Sequence, residues 1–462
     1  MASLRRIADL SGLAPERARS TQSRRSLPSI AVPARAPRRP FRLPPGIAQE
    51  NGFRPLRVVA AGLSPKLEAD VDHGGPTATG QLKGYAMPDR RALMLGALAA
   101  SFAGFRAHAD VPSDAAIQAI LQECVGKDRE STGMVAVARG SADSRLFTYG
   151  ASGAADNRKL DGDTVFEIAS ITKLLTALIL AAMVERGEVA MSDPVAKYLP
   201  PSVKVPAYEG KLITLLDLAT YTSGLPIRPD NFTGPNYTVD EFYAFLSGYT
   251  LKYPPGTHYE YANVGFGLLG HALARRAGKS YEALLVERVC DPLGLRGTRI
   301  IPTADMRSRL AQGHDRRMVP TPLSDNIPTL AGAYAAKSTA NDLTVLLEAC
   351  LGRRQTPLAP AVRRLLETRR PTGLPGHSIG LGWFISSNDD DEIAWKSGVN
   401  GGFNAFIGFS MSSHRGSIAL SNAAQNVSSP EDPPHNAVPL GFYLINPDFR
   451  PQPIGDLFRP RA

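Results

Sequence analysis

The sequence predicts an α+β protein in which an antiparallel sheet, flanked by helices, is interrupted by an inserted helical region. Residues that alternate between apolar and polar types occur early, at 132–139 and 146–149, and again late, between 380 and 421. Such alternation is typical of half-buried strands. Helical spacing dominates the chain between these two regions. Because strands recur at both ends, we expect one sheet built from both termini, with the helices inserted between them.

The individual elements follow in order along the chain. The first two strands join around Gly140 and Ser141. Apolar residues at helical spacing then mark residues 171–185, 214–221, 239–246, 265–277, 281–290 and 340–351. Strand patterns close the body at residues 380–386, 392–397, 404–410 and 416–421. We therefore place one domain at residues 110–425, followed by a Pro-rich tail at 426–462 with one short helix.

The charge of the chain is divided unevenly, and this bears on nucleic-acid binding. The 462 residues include 52 Lys and Arg against 43 Asp and Glu, a net charge of +9. Residues 1–109 hold 17 basic and 7 acidic residues, which leaves 35 basic and 36 acidic residues in the rest. The predicted domain is almost neutral, so we expect no nucleic-acid partner.

The first 109 residues resemble a leader. Residues 1–86 are rich in Arg, Pro, Ala and Ser without a sustained period, which is typical of a disordered segment. Residues 87–109 follow the pattern of a signal peptide, with Arg90-Arg91, an apolar run and a small-residue end. The arginine pair also fits a twin-arginine signal. We expect export to the periplasm or beyond, with no stable membrane span in the mature form.

A signal peptide normally begins a protein. We therefore expect Met87 to be the true start and residues 1–86 to be an upstream over-translation. N-terminal sequencing of the exported protein tests this hypothesis. A mature end near Asp110 supports it, and a processed product that retains residues 1–86 contradicts it.

The cysteines and histidines indicate no cofactor. Cys124, Cys290 and Cys350 form neither a disulfide framework nor a zinc motif. Cys290 and Cys350 lie among apolar residues and indicate core packing, although one disulfide is compatible with an oxidising compartment. The eight histidines show no metal-binding spacing. We expect neither a metal nor another cofactor.

Ser170 and Lys173 are the first candidates for chemistry. They form the one Ser-x-x-Lys pattern of the chain, at the start of a predicted helix, so their side chains share a face. A serine needs a base to take its proton, and a lysine can serve if burial or neighbouring cations lower its pKa from about 10.4. The helix start also offers unpaired N–H groups that suit an oxyanion. Alone, the pattern fits an ordinary helix cap equally well.

Two further motifs follow in the chain. In Tyr261-Ala262-Asn263, the tyrosine can relay a proton if nearby lysines lower its pKa, and the asparagine can both donate and accept hydrogen bonds. In Lys396-Ser397-Gly398, a charge and a hydroxyl suit a substrate carboxylate, and the glycine allows a close approach. Each motif alone also fits a turn or a strand end.

The order of the three motifs in one chain is far more specific than any one of them. With them, the body resembles the class C β-lactamase family and its relatives, the penicillin-binding D,D-carboxypeptidases and endopeptidases. Further segments are similar to landmarks of that family: residues 218–226, 255–257, 338–342 and 380–383. The resemblance covers roughly residues 115–425 and implies a β-lactamase/transpeptidase-like fold.

The resemblance also implies roles at the site. Ser170 would attack a carbonyl and form an acyl-enzyme, while Lys173 and Tyr261 would move protons. The backbone N–H groups of Ser170 and Val399 would form the oxyanion hole. The substrate would be positioned by Asn263, and its carboxylate would be bound by the Lys396-Ser397-Gly398 segment.

Two positions depart from the family pattern. Ser397 stands where the family usually has threonine, but the hydroxyl is kept. Arg228 stands near a position where class C β-lactamases tend to carry glutamine. Together with the residues around Ser170, Arg228 favours the peptidase branch over a strict β-lactamase.

Two rival motifs match literally. Ser378 lies in a Gly-x-Ser-x-Gly, but a nucleophile elbow needs a strand before it and a helix after it, and here a strand-like run follows. Ser324-Asp325-Asn326 matches the Ser-Asp-Asn of class A enzymes, yet it comes after the Tyr motif in a Pro-flanked stretch. We interpret both as chance matches.

Several functions remain open on this sequence. The leading hypothesis is an exported serine acyl-hydrolase that acts on D-Ala-D-Ala peptides or β-lactams, both of which offer a carbonyl near a carboxylate. An esterase could use the same serine and lysine. A penicillin sensor that stays acylated is the alternative from a different class, because fold alone does not decide function.

Overall fold

The computed structural model describes residues 112–126, 131–156, 158–324, 327–424 and 436–458. The expectations about the leader at 1–86 and the signal peptide at 87–109 concern residues outside this range. Among the described residues, no helix combines the length and apolar character needed to cross a bilayer.

One antiparallel sheet of eight strands, in the order β2-β1-β12-β11-β10-β9-β8-β7, forms the centre of the described body. Two short pairs, β3 with β6 and β4 with β5, lie outside it. The strands are β1 Gly133–Arg139, β2 Ser144–Gly150, β3 Val165–Glu167, β4 Ala207–Tyr208, β5 Lys211–Leu212, β6 Lys337–Thr339, β7 Arg370–Pro371, β8 His377–Ile379, β9 Phe384–Ser387, β10 Glu392–Val399, β11 Asn404–Ser410 and β12 Gly416–Ser421. Strands from both ends of the body thus share one sheet, as predicted.

Helices flank the sheet and fill the insertion between β2 and β7. They are α1 Asp114–Val125, α2 Thr172–Glu185, α3 Leu215–Ala219, α4 Val239–Gly248, α5 Asn263–Ala277, α6 Tyr281–Leu285, α7 Asp291–Leu293, α8 Ala304–Ser308, α9 Ala331–Tyr334, α10 Ala340–Cys350, α11 Ala359–Glu367 and α12 Ala437–Ile445. Shorter turns lie at Ala169–Ile171, Val195–Tyr198, Val286–Cys290 and Ile454–Phe458. The predicted fold class is confirmed.

The sheet is covered on both faces. Gly416 of β12 packs against Leu347 of α10, whereas its neighbour Ser417 donates a hydrogen bond to the backbone oxygen of Gly441 in α12 at 2.7 Å. Successive strand residues point to opposite faces, so α10 and α12 lie on opposite sides. The strands β1, β10, β11 and β12 are therefore a buried central layer, whereas the edge strand β2 is largely exposed.

Three predicted elements differ in extent from those observed. The segment 380–386 splits into the hairpin of β8 and β9, because Gly382 turns the chain at a φ of +77°. The helix at 214–221 ends at Ala219, since Tyr221 adopts a φ of +56°. The helix at 281–290 becomes α6 followed by a wider turn at Val286–Cys290. Left-handed backbone at a non-glycine residue is a tertiary effect that propensity does not predict.

The segment after residue 425 packs onto the domain where the structure describes it. α12, the one short helix expected in the tail, is buried against β11 and β12. Beyond it, Tyr259 donates to the backbone oxygen of Leu457 at 2.7 Å. The described tail thus forms part of the core. Of the three cysteines, Cys124 and Cys290 are buried and Cys350 is half-buried.

Candidate active site

Ser170 lies on a strained turn between β3 and α2. The chain leaves β3 and enters the short helical turn Ala169–Ile171, in which Ala169 has a φ of +41°. A left-handed alanine is costly, and such strain clusters at functional sites. The turn leaves Ser170 half-buried at the mouth of the site, while nearly all of α2 behind it is buried.

Lys173 is the nearest basic group to Ser170. Its Nζ lies 3.1 Å from Ser170 Oγ, 2.8 Å from Asn263 Oδ1 and 2.8 Å from the backbone oxygen of Ala333. The last two atoms can only accept hydrogen bonds. A neutral amine has two N–H groups and one lone pair, so donating to both acceptors leaves the lone pair for the Ser170 hydroxyl. The three partners therefore fit Lys173 as a proton acceptor.

Burial favours the neutral form of both lysines at the site. Lys173 and Lys396 are each 0% exposed. Burial holds the pKa of Lys173 well below its ordinary value. Burial, and then the charge of Lys173, hold the pKa of Lys396 well below its ordinary value too. The sequence required such a lowered pKa for Lys173, and the structure supplies its physical cause.

Tyr261 completes the contacts of Ser170. Its hydroxyl donates to Ser170 Oγ at 2.8 Å, and its ring centre lies 5.0 Å from Lys173 Nζ and 4.9 Å from Lys396 Nζ. A proton relay through Tyr261 was expected to need a pKa that nearby lysines lower. Instead, burial raises the pKa of Tyr261, and the bond with Ser170 offsets this only in part. With both lysines shifted toward neutrality, little positive charge opposes burial, so Tyr261 is a neutral donor.

Lys396 lies next to the rings of Tyr221 and Tyr261, and Tyr221 is a partner that was not predicted from the sequence. Its Nζ donates to Tyr221 Oη at 2.6 Å and lies 3.8 Å from the centre of the Phe384 ring. The left-handed backbone of Tyr221 directs this hydroxyl inward. Residues 218–226 resemble a family landmark, but no motif indicated that Tyr221 contacts Lys396.

Lys396 and Ser397 do not share a face of β10. Ser397 lies opposite Phe406, whose ring packs on Phe442 of α12, so its side chain is on the α12 side. Lys396 is on the other face, with the helical region. The two side chains can meet one substrate carboxylate only at the open edge of β10.

Gly398 explains how β10 approaches the nucleophile. A Cβ at this position would lie 2.1 Å from the backbone oxygen of Ile168 and 3.1 Å from the Ser170 nitrogen. Only glycine permits this contact. The strand therefore runs directly against the turn that carries Ser170.

The backbone N–H of Val399 points to the open edge of β10. Asn400 donates to the backbone oxygen of Phe403, so this pair is hydrogen-bonded and the next pair, Val399 and Asn404, is not. The polar groups of Val399 consequently point away from β11. On that side the pairing with β9 stops at Trp395 and Phe384, because β9 begins at Phe384. An N–H at an open edge beside the Ser170 turn suits an oxyanion.

A buried acid near the nucleophile had no assigned role in the sequence analysis. Glu167 is 3% exposed and lies 3.6 Å from Lys337 Nζ. It accepts two hydrogen bonds from Ser324, from the backbone N–H and the hydroxyl, each at 2.8 Å, and a third from Asn400 Nδ2. Asn400 Oδ1 in turn accepts from the Gly402 N–H at 3.0 Å. Glu167 thereby fixes the turn that follows Val399. The sequence signal for this role was an acidic residue at the end of an apolar strand, because a buried carboxylate is normally paired.

The rival motifs have other surroundings. Ser378 lies inside β8, hydrogen-bonded between β7 and β9, and not on a strand-to-helix turn. Ser324 contacts Glu167 and Asn400, so its position matters although its motif was dismissed. The other members of that motif, residues 325–326, lie outside the described residues. In the part of the chain that the structure describes, no cluster of three or more His, Cys, Asp or Glu could hold a metal ion.

Comparison with known proteins identifies the family. A family model described as Beta-lactamase matches residues 114–439. The D-alanyl-D-alanine-carboxypeptidase/endopeptidase AmpH of Escherichia coli (strain K12) is 32% identical over 298 residues, which cover 60% of this chain and 76% of AmpH. A Beta-lactamase of Pseudomonas fluorescens is 26% identical over 346 residues, 67% of this chain and 92% of that protein.

Two solved structures have the same fold. The crystal structure of a class C beta lactamase from Rhodobacter sphaeroides has a TM-score of 0.60 and 25% identity, and the match covers 68% of this chain and 95% of that chain. A Beta-Lactamase/D-Alanine Carboxypeptidase from Pseudomonas syringae has a TM-score of 0.61, with 73% of this chain and 100% of that chain covered at 22% identity. The family model spans most of the chain and the order of the three motifs agrees with it, so this protein belongs to the Beta-lactamase family and is a serine hydrolase.

Proposed function

We propose that this serine hydrolase forms an acyl-enzyme on Ser170 and acts as an exported D,D-carboxypeptidase/endopeptidase on D-Ala-D-Ala peptides. One observation carries the proposal. The amine of Lys173 has two pure acceptors and the Ser170 hydroxyl as its partners. That set supports Lys173 as the base that activates Ser170.

In the acylation step, Ser170 Oγ forms a bond with the substrate carbonyl carbon and its proton passes to Lys173 Nζ. The negative charge on the carbonyl oxygen meets the N–H groups of Ser170 and Val399. Loss of one such donor typically costs about 10²–10³ in rate. The carbon–nitrogen bond then breaks, and the leaving nitrogen takes a proton from the Tyr261 hydroxyl. Lys173 returns a proton to Tyr261, so the protein ends neutral with an ester on Ser170.

In deacylation, water attacks the ester carbonyl and gives its proton to the Tyr261–Lys173 pair, and Ser170 Oγ leaves with a proton from the same pair. Asn263 would position the substrate beside Lys173. A substrate carboxylate would bind at the open edge of β10, near Ser397. Its charge would favour the protonated form of Lys396 beneath.

The peptidase activity is favoured over a β-lactamase by similarity. The match to AmpH, a D-alanyl-D-alanine-carboxypeptidase/endopeptidase, is 32% identical, against 26% and 28% for two β-lactamases. Arg228 also favours peptidase activity over β-lactamase activity. The signal-peptide pattern at 87–109 supports export.

The experiment is intact mass measurement over time after mixing the protein with a penicillin, with Ser170→Ala as control. We expect an added mass of one penicillin that persists for minutes, that is absent in the control, and release of D-alanine from a D-Ala-D-Ala peptide. An adduct that decays within seconds to penicilloic acid would indicate a β-lactamase. A persistent adduct without peptide cleavage would indicate a sensor. Ester turnover without an adduct would indicate an esterase.

A further inference from the structure

A groove of about 610 Å³ lies between the end of α10, the loop at residues 351–358 and α11. We call it the α10–α11 groove. Its apolar lining residues are Ala349, Cys350, Val362, Leu366 and Met411. The volume is within the range of small-ligand pockets, and an apolar lining with a few polar groups is typical of them.

The α10–α11 groove is separate from the site around Ser170. Arg364 of α11 pairs with Glu185, the last residue of α2, at 2.5 Å. The neighbouring Arg363 lines the groove. α11 therefore lies between the groove and α2, the helix that carries Lys173. A ligand in the groove has no direct contact with the reacting groups.

The chain around the groove is strongly basic. Residues 353–370 include six arginines and one acid, whereas the chain from residue 110 onward holds 35 basic and 36 acidic residues. Three of the six arginines are paired with acids of other elements: Arg364 with Glu185, Arg369 with Glu392 and Arg370 with Asp217. Arg353 donates to the backbone oxygen of Gly140 at 2.6 Å. Two arginines remain.

These two, Arg354 and Arg363, are exposed and line the groove. None of the ion pairs found among the described residues includes either of them. Glu367 also lines the groove one turn after Arg363, but it is not within ion-pair distance of these arginines. Two guanidinium groups without a carboxylate partner, at the edge of an apolar groove, suit a carboxylate that a ligand supplies.

We propose that the α10–α11 groove binds a soluble, single-chain carboxylate amphiphile of the fatty-acid class. The alkyl chain lies on the apolar lining, and the carboxylate is bound by Arg354 and Arg363. The groove complements both parts of such a molecule, since apolar surface is removed from water and the anion meets two cations. This site goes beyond the proposed function, and no step of acylation on Ser170 depends on it.

The test is equilibrium dialysis of the protein with radiolabelled decanoate, below the concentration at which decanoate forms micelles. 1-Decanol has the same chain without the charge, and acetate has the carboxylate without the chain. Arg354→Gln and Arg363→Gln each remove one cation from the groove. Glu367→Gln removes its acid.

Arg316→Gln is the matched control for the loss of one positive charge. Arg316 is exposed and lies two residues after His314, whose backbone N–H donates to the Gly402 oxygen. Gly402 and Met411 lie at opposite ends of β11, roughly 25 Å apart. Arg316 is therefore remote from the groove.

We expect one molecule of decanoate to bind per protein. Arg354→Gln and Arg363→Gln each weaken this binding about threefold to fivefold, Glu367→Gln tightens it about twofold, and Arg316→Gln leaves it unchanged. 1-Decanol binds more weakly than decanoate and is insensitive to the arginine substitutions. Acetate shows no saturable binding. Added salt weakens the binding of decanoate more than that of 1-decanol.

Three results overturn the proposal: no saturable binding of decanoate, equal affinities for decanoate and 1-decanol, or an affinity that survives Arg354→Gln and Arg363→Gln together. Sedimentation of the protein with phosphatidylglycerol vesicles, without binding of decanoate, overturns it in favour of a membrane surface. Penicillin acylation of Ser170 is measured in the same variants and should keep the wild-type rate. Absence of acylation in the wild-type protein bears on the proposed function alone, so the two failures are distinguishable.

Discussion

At the scale of single residues, the site depends on the partners of one amine. Lys173 reaches Ser170, Asn263 and the Ala333 oxygen within 3.1 Å, and its charge is disfavoured by burial. The neighbouring hydroxyl of Tyr261 donates to the same serine. Proton transfer therefore needs a neutral amine on one side of Ser170 and a protonated phenol on the other.

Two substitutions test the amine of Lys173 and the phenol of Tyr261 one at a time. Lys173→Arg keeps the positive charge but cannot become neutral, and Tyr261→Phe keeps the ring but loses the hydroxyl. We expect each to lower the acylation rate constant about 10²–10⁴-fold, as loss of a general acid or base does. Penicillin acylation followed by mass spectrometry measures this. Wild-type rates in Lys173→Arg would exclude Lys173 as the base.

A second prediction concerns the turns at the two ends of β10. Asn400 Oδ1 accepts from the N–H groups of Gly402 and Phe403 after the strand. Asn388 Oδ1 accepts from Asp390 and Asp391 before it. Asn400 also binds Glu167, so it is a positioning residue for the Val399 N–H.

We expect Asn400→Ala to lower the acylation rate constant about 10-fold or more, part of the cost of losing an oxyanion donor. Asn388→Ala is the matched control, because it removes a similar turn contact away from the site. The loss should lie in the rate of acylation and not in the affinity of the first complex. Equal rates in the two variants would mean that the Asn400 turn has no role in positioning Val399.

At the scale of elements, the described C-terminal segment forms part of the wall of the site. The family model ends at residue 439, yet the chain continues to the turn Ile454–Phe458. The ring of Phe458 lies 5.3 Å from that of Tyr261 and 5.3 Å from that of Phe384. Phe458 therefore shields the tyrosine and lysine cluster from water.

Phe458→Ala tests this role through the pH profile. Burial lowers the pKa of Lys173, so admitting water moves that pKa upward. Lys173 must be neutral to act as a base, so the acylation rate constant falls as the pH drops through the pKa of Lys173. In Phe458→Ala we expect this acid limb of the pH profile to lie at least about half a unit higher in pH than in the wild-type protein.

Phe449→Ala is the matched control for Phe458→Ala. Phe449 is buried in the same segment and stacks on Phe442 at 5.8 Å. Phe449→Ala should lower the free energy of unfolding without moving the acid limb of the acylation pH profile. Identical pH profiles for wild-type protein and Phe458→Ala would show that the segment does not control the pKa of Lys173.

At the scale of the whole molecule, the two buried lysines reduce stability at neutral pH. The pKa of Lys396 lies well below the ordinary value in the folded protein, while the unfolded chain titrates near 10.4. At pH values between the folded-state and unfolded-state pKa of Lys396, the unfolded state binds more protons than the folded state. The free energy of unfolding therefore rises with pH in that window.

Lys396→Met removes the contribution of Lys396 to this dependence and leaves that of Lys173. At pH values below about 10.4 and above the lowered pKa of Lys396, we expect its free energy of unfolding to rise less steeply with pH than that of the wild-type protein, by up to about 1.4 kcal/mol per pH unit. Lys204→Met is the control, since Lys204 is exposed. Urea unfolding at several pH values measures the slopes. Parallel curves for wild-type protein and Lys396→Met would mean that Lys396 stays charged in the folded state.

Local patterns along the chain were sufficient to predict the fold class and the family. Strand alternation at both ends of the body predicted the shared sheet, and the three-residue spacing of Ser170 and Lys173 predicted one helix face. The order of three short motifs indicated the family. These features are repeated or adjacent along the chain, so no knowledge of distant contacts was needed.

The contacts between the groups of the site could not be predicted from local patterns, because they join residues that are far apart in the chain. Glu167 meets Ser324 from 157 positions away, and Lys396 meets Tyr221 from 175 positions away. The raised pKa of Tyr261 and the lowered pKa of the lysines come from burial by several elements at once. Burial and long-range hydrogen bonds depend on how the sheet and the helical region meet, and no local pattern in the chain records that.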